Sequence, residues 1–283
     1  MVIVALLIFI ALCFFIYIGN KNTRSVVINH IDIKCKNGSK EKGKDPLRIL
    51  QVSDLHLENI SISPEQLYEK VKMQPIDLIA LTGDFLDRKR SIPKLLPYLQ
   101  VFKALNPTNG IYAVFGNHDY VLRKDDLKQL KNLLVQNDVK LLQNENDMID
   151  IGGVPLNIIG IDDFSTKRSN LMASYDGLEE GYNLVITHDP NVVLSMNNHH
   201  FDYLLSGHFH GGQIHWPKPY HLVKMGKLVK MNMVKGLHYY KEKQFYISEG
   251  LGQTGINIRI GSRPELTIHN VHLPNAVESI KAG

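Results

Sequence analysis

A chain of 283 residues, 44% hydrophobic and 21% charged, has the makeup of a folded protein with room for one large domain and a sizeable core, which excludes a disordered or collagen-like polymer. A formal net charge of +4 falls well short of the basic bias of nucleic-acid binders, so no nucleic-acid partner is expected. The two isolated cysteines, Cys13 and Cys35, exclude a thiolate metal cluster, and no disulfide between them is expected because Cys13 lies in an apolar leader.

That leader comes first. Met1 to Ile18 carries no charged side chain and is almost wholly apolar, and Gly19 and Asn20 close it. Its length sits at the lower edge for a membrane-spanning helix. The basic n-region and small-x-small cleavage site of a signal peptide are both missing, which favours an uncleaved, single-pass anchor in the cell membrane over residues 1–19. A buried core helix is the plainer alternative, but a helix without a polar face is a poor fit to a chain terminus. Lys21, Arg24, Lys34, Lys36, Lys40, Lys42 and Lys44 follow it. By the positive-inside rule they put the rest of the chain on the cytoplasmic side, although the more distant lysines can belong to the folded domain.

Residues 20–46 read as a polar linker containing one strand-like stretch, Ser25 to Ile33, and residues 47–283 as the main domain. From there apolar runs of strand length alternate with helix-period segments. Strands are expected at 48–52, 78–81, 111–115, 156–161, 184–187, 203–205, 245–247 and 266–271. Helices are expected at 64–73, with Ser63 as cap and Pro64 in the first turn, and at 92–104, 124–136 and 191–196. The alternation implies an α/β layered fold. Polar clusters stand at the C-terminal ends of the apolar strands, where ligand sites collect in open α/β sheets.

Five of those ends hold metal-ligand residue types. In Ser53-Asp54-Leu55-His56, Asp54 and His56 are two apart, so on extended backbone they point the same way. In Thr82-Gly83-Asp84-Phe85, Gly83 permits a sharp turn that presents Asp84. Phe115-Gly116-Asn117-His118-Asp119-Tyr120, Ile186-Thr187-His188-Asp189-Pro190 and Ser206-Gly207-His208-Phe209-His210-Gly211-Gly212 complete the set. Carboxylates, imidazoles and a carboxamide oxygen suit Mn, Fe or Zn ions. Asp84, with two oxygens and several lone pairs, can bridge two ions. Two ions about 3.5–4 Å apart clamp a phosphate and activate a water near neutral pH. Singly, each piece reads as a surface loop, a turn or a strand-end histidine. Their order and placement argue otherwise.

The ordered blocks D-x-H, G-D, G-N-H-D, a lone H and G-H-x-H resemble the calcineurin-like metallophosphoesterase superfamily, over the whole chain from about residue 47. Gly-His-Phe-His-Gly-Gly-Gln and the later Ser248-Glu-Gly-Leu-Gly-Gln-Thr-Gly resemble its bacterial membrane-associated branch. Phe209 departs from the usual small polar residue between the ligands, which is expected to affect packing rather than metal binding. The resemblance implies a layered sandwich of two mixed β-sheets flanked by helices. It implies that Asp54, His56 and His210 hold one ion, that Asn117, His188 and His208 hold the other, and that Asp84 bridges them. It implies that His118 faces the substrate, as transition-state stabiliser or proton donor to the leaving oxygen. Asp119 either orients His118 or caps a helix start, and the sequence leaves both open. The implied reaction is hydrolysis of a phosphodiester or phosphomonoester by direct in-line attack of metal-bound hydroxide.

Residues 218–243 mix lysines with Met, Leu, Val and Tyr and contain Glu242 as their only acid. They read either as a contact for a phospholipid-like or nucleotide-diphospholipid substrate or, somewhat better, as a loop with solvated lysines over a packed apolar side. Trp216 reads as a partly buried packing residue before a cleft-mouth residue, His199 and His200 as surface residues, and Asp162 and Asp163 as a turn as readily as a site support. Two rival functions stand beside hydrolysis: a non-catalytic membrane-attached binding module on the same fold, which the intact ligand set argues against, and a nuclease, which the anchor and the modest charge argue against.

Overall fold

A computed structural model describes residues 1–34 and 45–274. Cys35 and the lysines at 36, 40, 42 and 44, read above as part of the linker charge, lie outside the described residues. The uncharged leader forms helix α1, Val2–Asn22, whose residues up to Ile18 are exposed and whose buried residue is Gly19. It is long and apolar enough to cross a membrane. Cys13 on it is a free thiol.

Two six-stranded sheets follow. The first contains β1 (Val27–Ile33), β2 (Leu47–Val52), β3 (Leu78–Leu81), β4 (Ile111–Ala113), β5 (Val139–Leu141) and β12 (Glu265–Val271), in the order β1-β12-β2-β3-β4-β5. The second contains β6 (Glu145–Asp150), β7 (Pro155–Ile161), β8 (Tyr182–Thr187), β9 (Tyr203–Ser206), β10 (Gly236–Tyr240) and β11 (Lys243–Ile247), in the order β10-β11-β9-β8-β7-β6. Strands β2 to β5 run parallel, as do β7, β8, β9 and β11, while the pairs β12–β2, β10–β11 and β6–β7 are antiparallel.

The central strands are apolar on both faces because both faces are covered. Ile49 faces the space between the sheets, where Leu184, Ile186 and Tyr203 meet it, and its neighbours Leu50 and Val52 face outward. That outer face is covered by α2 (Pro64–Val71), α3 (Ile92–Ala104) and α4 (Lys124–Gln136), through Leu67, Leu95, Leu99, Phe102, Leu130 and Leu134. In β8 the alternation repeats, with Val185 turned away into a third cluster that holds Phe209 and Leu228. Ser63 and Gln66 close a reciprocal capping box that fixes the start of α2.

Helices α3 and α4 match the sequence expectation. The expected helix at 191–196 is a 3-10 turn, Pro190–Ser195, whose start Asp189 caps. Unforeseen elements are β5, β6 and β10 and two one-turn helices, α5 (Leu171–Ser174) and α6 (Lys227–Lys230). Because β2, β3 and β4 are parallel neighbours, as are β8 and β9, their C-terminal ends gather along one edge of the sandwich.

Candidate metal centre

The loops at that edge hold unusual backbone. Asp54, His56, Asp84, His208 and His210 all have positive φ, between 39° and 76°. Left-handed backbone is costly for residues with a Cβ and persists only where the surroundings impose it. Here the loops after β2 and β3 are laced together: the N–H groups of Asp54, His56 and Leu57 donate to the carbonyls of Gly83, Asp84 and Phe85, each at 3.0 Å. Two glycines permit the close approach. A methyl group on Gly116 would fall 2.2 Å from Asp84 Oδ1, and one on Gly207 would fall 2.3 Å from Asp54 Oδ2.

The side chains then converge in two groups. Asp54, His56 and His210 bring ligand atoms within 4.8 Å of one another, and so do Asp84, His188 and His208. In the first group His56 Nε2 lies 3.1 Å from His210 Nε2, and His210 Nε2 lies 3.4 Å from Asp54 Oδ1. In the second, His188 Nε2 lies 3.1 Å from His208 Nδ1 and 3.2 Å from Asn117 Oδ1. The groups meet at Asp84, whose Oδ2 is 3.4 Å from His56 Nε2 and 3.1 Å from His188 Nε2. His118 also approaches Asp84 and His56.

The donor chemistry fits cations. His188 Nδ1 faces the carbonyl of Thr82 at 2.8 Å, and a carbonyl only accepts, so that nitrogen carries the proton and Nε2 presents a lone pair. That lone pair points at Asp84 Oδ2 and Asn117 Oδ1, two more acceptors. His210 repeats the arrangement, with Nδ1 on the carbonyl of Gly252 at 3.2 Å and Nε2 turned toward Asp54 and His56. Buried acceptors facing one another require a proton or a metal ion between them.

The charge balance says the same. Burial opposes protonation of His56 and His188, yet nearby carboxylates outweigh it. Hydrogen bonds to Asp84 and Asp87 raise His56 to about 10, and the Asp84 charge raises His188 well above the usual imidazole value. Burial pushes the Asp84 carboxyl up, but His188 and His56 beside it hold it well below the carboxylate range. Burial keeps His208 and His210 neutral, reinforced by the charge of His188 on the former and of His56 on the latter. The pocket thus attracts positive charge, and divalent ions can replace those protons.

Asp119 does neither thing the sequence left open. Its carboxylate is fully buried and accepts from the N–H groups of Asp84 at 3.0 Å, Phe85 at 2.9 Å, Leu86 at 3.2 Å and Gly116 at 2.9 Å. It ties the loop after β3 to the loop after β4, which is why it cannot also reach His118. The partner of His118 is Asp87, with Oδ1 3.0 Å from Nδ1 and 3.4 Å from His56 Nδ1. Sequence reading missed Asp87. The available signal was a second aspartate three residues after Asp84 on the same strand-end loop.

Other expectations sort as follows. Trp216 is not a packing residue: it is 69% exposed. Asp162 accepts from Tyr120 Oη at 2.6 Å, and Asp163 accepts from Ser165 and Thr166 within its own turn. His199 and His200 lie away from the site, His200 beside Asp202. Phe209 is buried in the third hydrophobic cluster, with its ring centroid 5.4 Å from that of His208. In the 218–243 stretch, part of which is strand β10, Leu222, Leu228 and Val234 are buried and Lys224, Lys227 and Lys230 are exposed, while Val223, Met231 and Tyr239 are exposed beside them. Beside His208 opens a cleft of about 820 Å³, walled by Phe164, Leu194, Lys167, Lys224 and Lys227.

A profile of the calcineurin-like phosphoesterase family matches residues 47–212. The chain is 62% identical over 267 residues to YkoQ of Bacillus subtilis, an uncharacterized metallophosphoesterase, covering 94% of this chain and 97% of that one. It is 26% identical over 280 aligned residues to the UDP-2,3-diacylglucosamine pyrophosphatase LpxG of Chlamydia muridarum, covering 78% and 82%. A dimetal phosphatase from Danio rerio superposes with a TM-score of 0.45 at 11% identity, over 81% of this chain and 100% of that one.

Proposed function

The chain belongs to the calcineurin-like phosphoesterase family and is a metal-dependent phosphoesterase, and on that premise we propose that it hydrolyses phosphate esters at a dinuclear centre bridged by Asp84. The observation that carries the proposal is a single carboxylate oxygen, Asp84 Oδ2, facing both histidine groups. In this reading Asp54, His56 and His210 hold one divalent ion, Asn117, His188 and His208 hold the other, and Mn, Zn or Fe all suit the donors. When bound, such a pair clamps the phosphate, neutralises its charge and supplies an activated water for direct in-line attack.

The protein's own groups do the rest. His118 stands at the edge of the centre, half-buried, with Nδ1 on Asp87. Since Asp87 only accepts, Nδ1 donates and Nε2 is free for the leaving oxygen. Burial works against charging His118, but the Asp87 hydrogen bond and the Asp84 charge raise its pKa, favouring the form that can give up a proton. The cleft beside His208 has room for the rest of a substrate, and its lysines complement an anionic one.

The substrate class we favour is a lipid-linked phosphodiester or phosphomonoester. Two observations support it: α1 is long and apolar enough for a membrane anchor, and LpxG, a relative, is named for a diacylated nucleotide-sugar substrate. The test is to restore each candidate metal to the metal-free full-length protein. Turnover is then measured on nitrophenyl mono- and diesters, phospholipids and nucleotide diphospholipids. Wild-type protein that binds metal but cleaves none of them would leave the binding-module reading instead.

A further inference from the structure

The end of α1 and the first ligand group share one support, the loop between Gly250 and Gly261. On its outer side this loop seats the helix. Gly19 fits there because it lacks a side chain: a methyl group would fall 3.0 Å from Ile258 Cβ and 3.4 Å from Ile260. The carbonyl of Gly19 accepts from Arg259 N–H at 2.9 Å, Asn20 Nδ2 donates to the carbonyl of Asn257 at 3.0 Å, and Asn22 Nδ2 donates to that of Arg259 at 2.9 Å. The apolar helix therefore enters the folded domain without a loose joint.

On its inner side the loop holds the site. The Arg259 side chain is fully buried and donates to the carbonyls of Glu249 at 2.8 Å, Gly250 at 3.0 Å, Gly252 at 2.6 Å and Arg263 at 3.2 Å, and to Ser262 Oγ at 2.9 Å. Ser262 Oγ donates in turn to the carbonyl of His210 at 2.7 Å. Gly252 N–H donates to the carbonyl of Asp54 at 2.6 Å, and its carbonyl faces His210 Nδ1. Arg259 thus links the helix end to the His210 backbone through Ser262 and to the Asp54 backbone through Gly252.

The surface around the helix exit is apolar with a positive fringe. Ile256, in the same loop, is 68% exposed. Gln213 Nε2 donates to the carbonyls of Thr254 and Ile256, and two residues on, His215 N–H donates to the carbonyl of Ile260 at 2.7 Å. That pairing brings the adjacent Trp216 onto the same platform with its indole exposed. Lys21, Arg24 and Lys218 are exposed nearby and among the described residues have no carboxylate partner. A tryptophan beside an aliphatic side chain and scattered lysines suits the headgroup level of an anionic leaflet.

We propose that Ile256, Trp216 and the α1 seat form a membrane-docking face that holds the Asp54–His56–His210 side of the site against the bilayer entered by α1. The fixed Arg259 linkage then presents the centre to phosphate groups at the lipid surface rather than letting it swing free on a tether. The proposal rests on α1 being a membrane span and gives the lipid-linked reading a geometry.

Trp216 is the single tryptophan of the chain, so its fluorescence reports one position. The full-length protein is reconstituted into vesicles of phosphatidylcholine and phosphatidylglycerol whose acyl chains are brominated near the headgroup. The docking face predicts that roughly half or more of the Trp216 emission is quenched relative to unbrominated vesicles. For the double variant Ile256→Ser, Trp216→Ser, it predicts that the rate on an acylated nitrophenyl phosphodiester in those vesicles falls about tenfold relative to the rate on soluble bis-nitrophenyl phosphate. Unquenched Trp216 in protein that resists carbonate extraction overturns the docking face. Release of the protein by carbonate overturns the span beneath it. Quenching decides the matter whether or not bis-nitrophenyl phosphate is cleaved, so a failure of the hydrolase reading is not mistaken for a failure of this one.

Discussion

Asp87 Oδ1 lies 3.0 Å from His118 Nδ1 and 3.4 Å from His56 Nδ1, so one half-exposed carboxylate orients an imidazole of the ligand group and the imidazole beside it. Glu58 positions the start of this loop by accepting from the N–H groups of Asp87 and Arg88. The sequence left open whether Asp119 orients His118, and the neighbour found at that imidazole is Asp87 instead. Asp119 builds the loops, and Asp87 sets the rings.

Asp87→Asn keeps the shape but removes the charge that holds the His118 proton. If His118 protonates the leaving oxygen, kcat falls about 10- to 100-fold, the usual cost of losing a partner behind a functional histidine. The loss grows along a series of esters with increasingly basic leaving groups. A loss equal for all leaving groups counts against a proton-donor role.

Gly116→Ala sets a methyl group against Asp84 Oδ1 and the Asp84 N–H, at 2.2 and 2.7 Å before any adjustment. Because the neighbour is the proposed bridging carboxylate, metal affinity suffers along with stability, the latter by about 1–3 kcal/mol as for other overpacked sites. Metal titration by calorimetry, beside a denaturant melt, separates the two. Unchanged affinity means that Asp84 can move without consequence.

The parallel core strands and the five strand-end clusters were legible because their physics is local. A strand buried on both faces must be apolar throughout, and a polar cluster at its end stands out. Helices α3 and α4 were legible from their apolar period. What stayed hidden depended on partners distant in sequence. Strand β6, Glu-Asn-Asp-Met-Ile-Asp, is a polar edge strand that pairs only with β7, so nothing in its composition announces it. The role of Asp87 depends on where His118 from another loop arrives. Trp216 next to a proline looked like a packing residue, and its exposed position follows a neighbour, His215, that pairs with Ile260 of a loop distant in sequence. Arg259 carried no motif at all, since its function is to satisfy carbonyls of its own loop.

Glu265 makes the fold lose stability as pH rises toward neutral. Burial first, and then the Glu249 charge, raise its carboxyl to about 7, although Tyr246, Thr267 and the Glu249 N–H hydrogen-bond it. Between about pH 4.5, its ordinary value, and about pH 7 the folded state holds a proton the unfolded chain has released. Its contribution is therefore complete below pH 4.5 and lost as pH rises through 7. Relative to Glu265→Gln, the wild type should lose on the order of 3 kcal/mol between pH 4 and pH 8. Parallel urea melts of the two proteins check it, and a constant gap between them contradicts it.

Phe209→Ala should cost about 3–5 kcal/mol, as for other buried aromatic truncations, because the ring fills the third hydrophobic cluster. The ring centroid lies 5.4 Å from that of His208, so metal content reports whether Phe209 also sets that imidazole; a packing role alone predicts no change. Metal analysis of the purified variant decides between a packing role and a ligand-setting one.

The account depends on Asp84 sitting between two ions, and anomalous diffraction from manganese-loaded crystals tests that most directly. It should show two peaks about 3.5–4 Å apart, one among Asp54, His56 and His210, the other among Asn117, His188 and His208, with Asp84 touching both. Asp84→Ala should remove at least one of them. A single peak in the wild type, or two that leave Asp84 uncoordinated, would contradict the bridged centre.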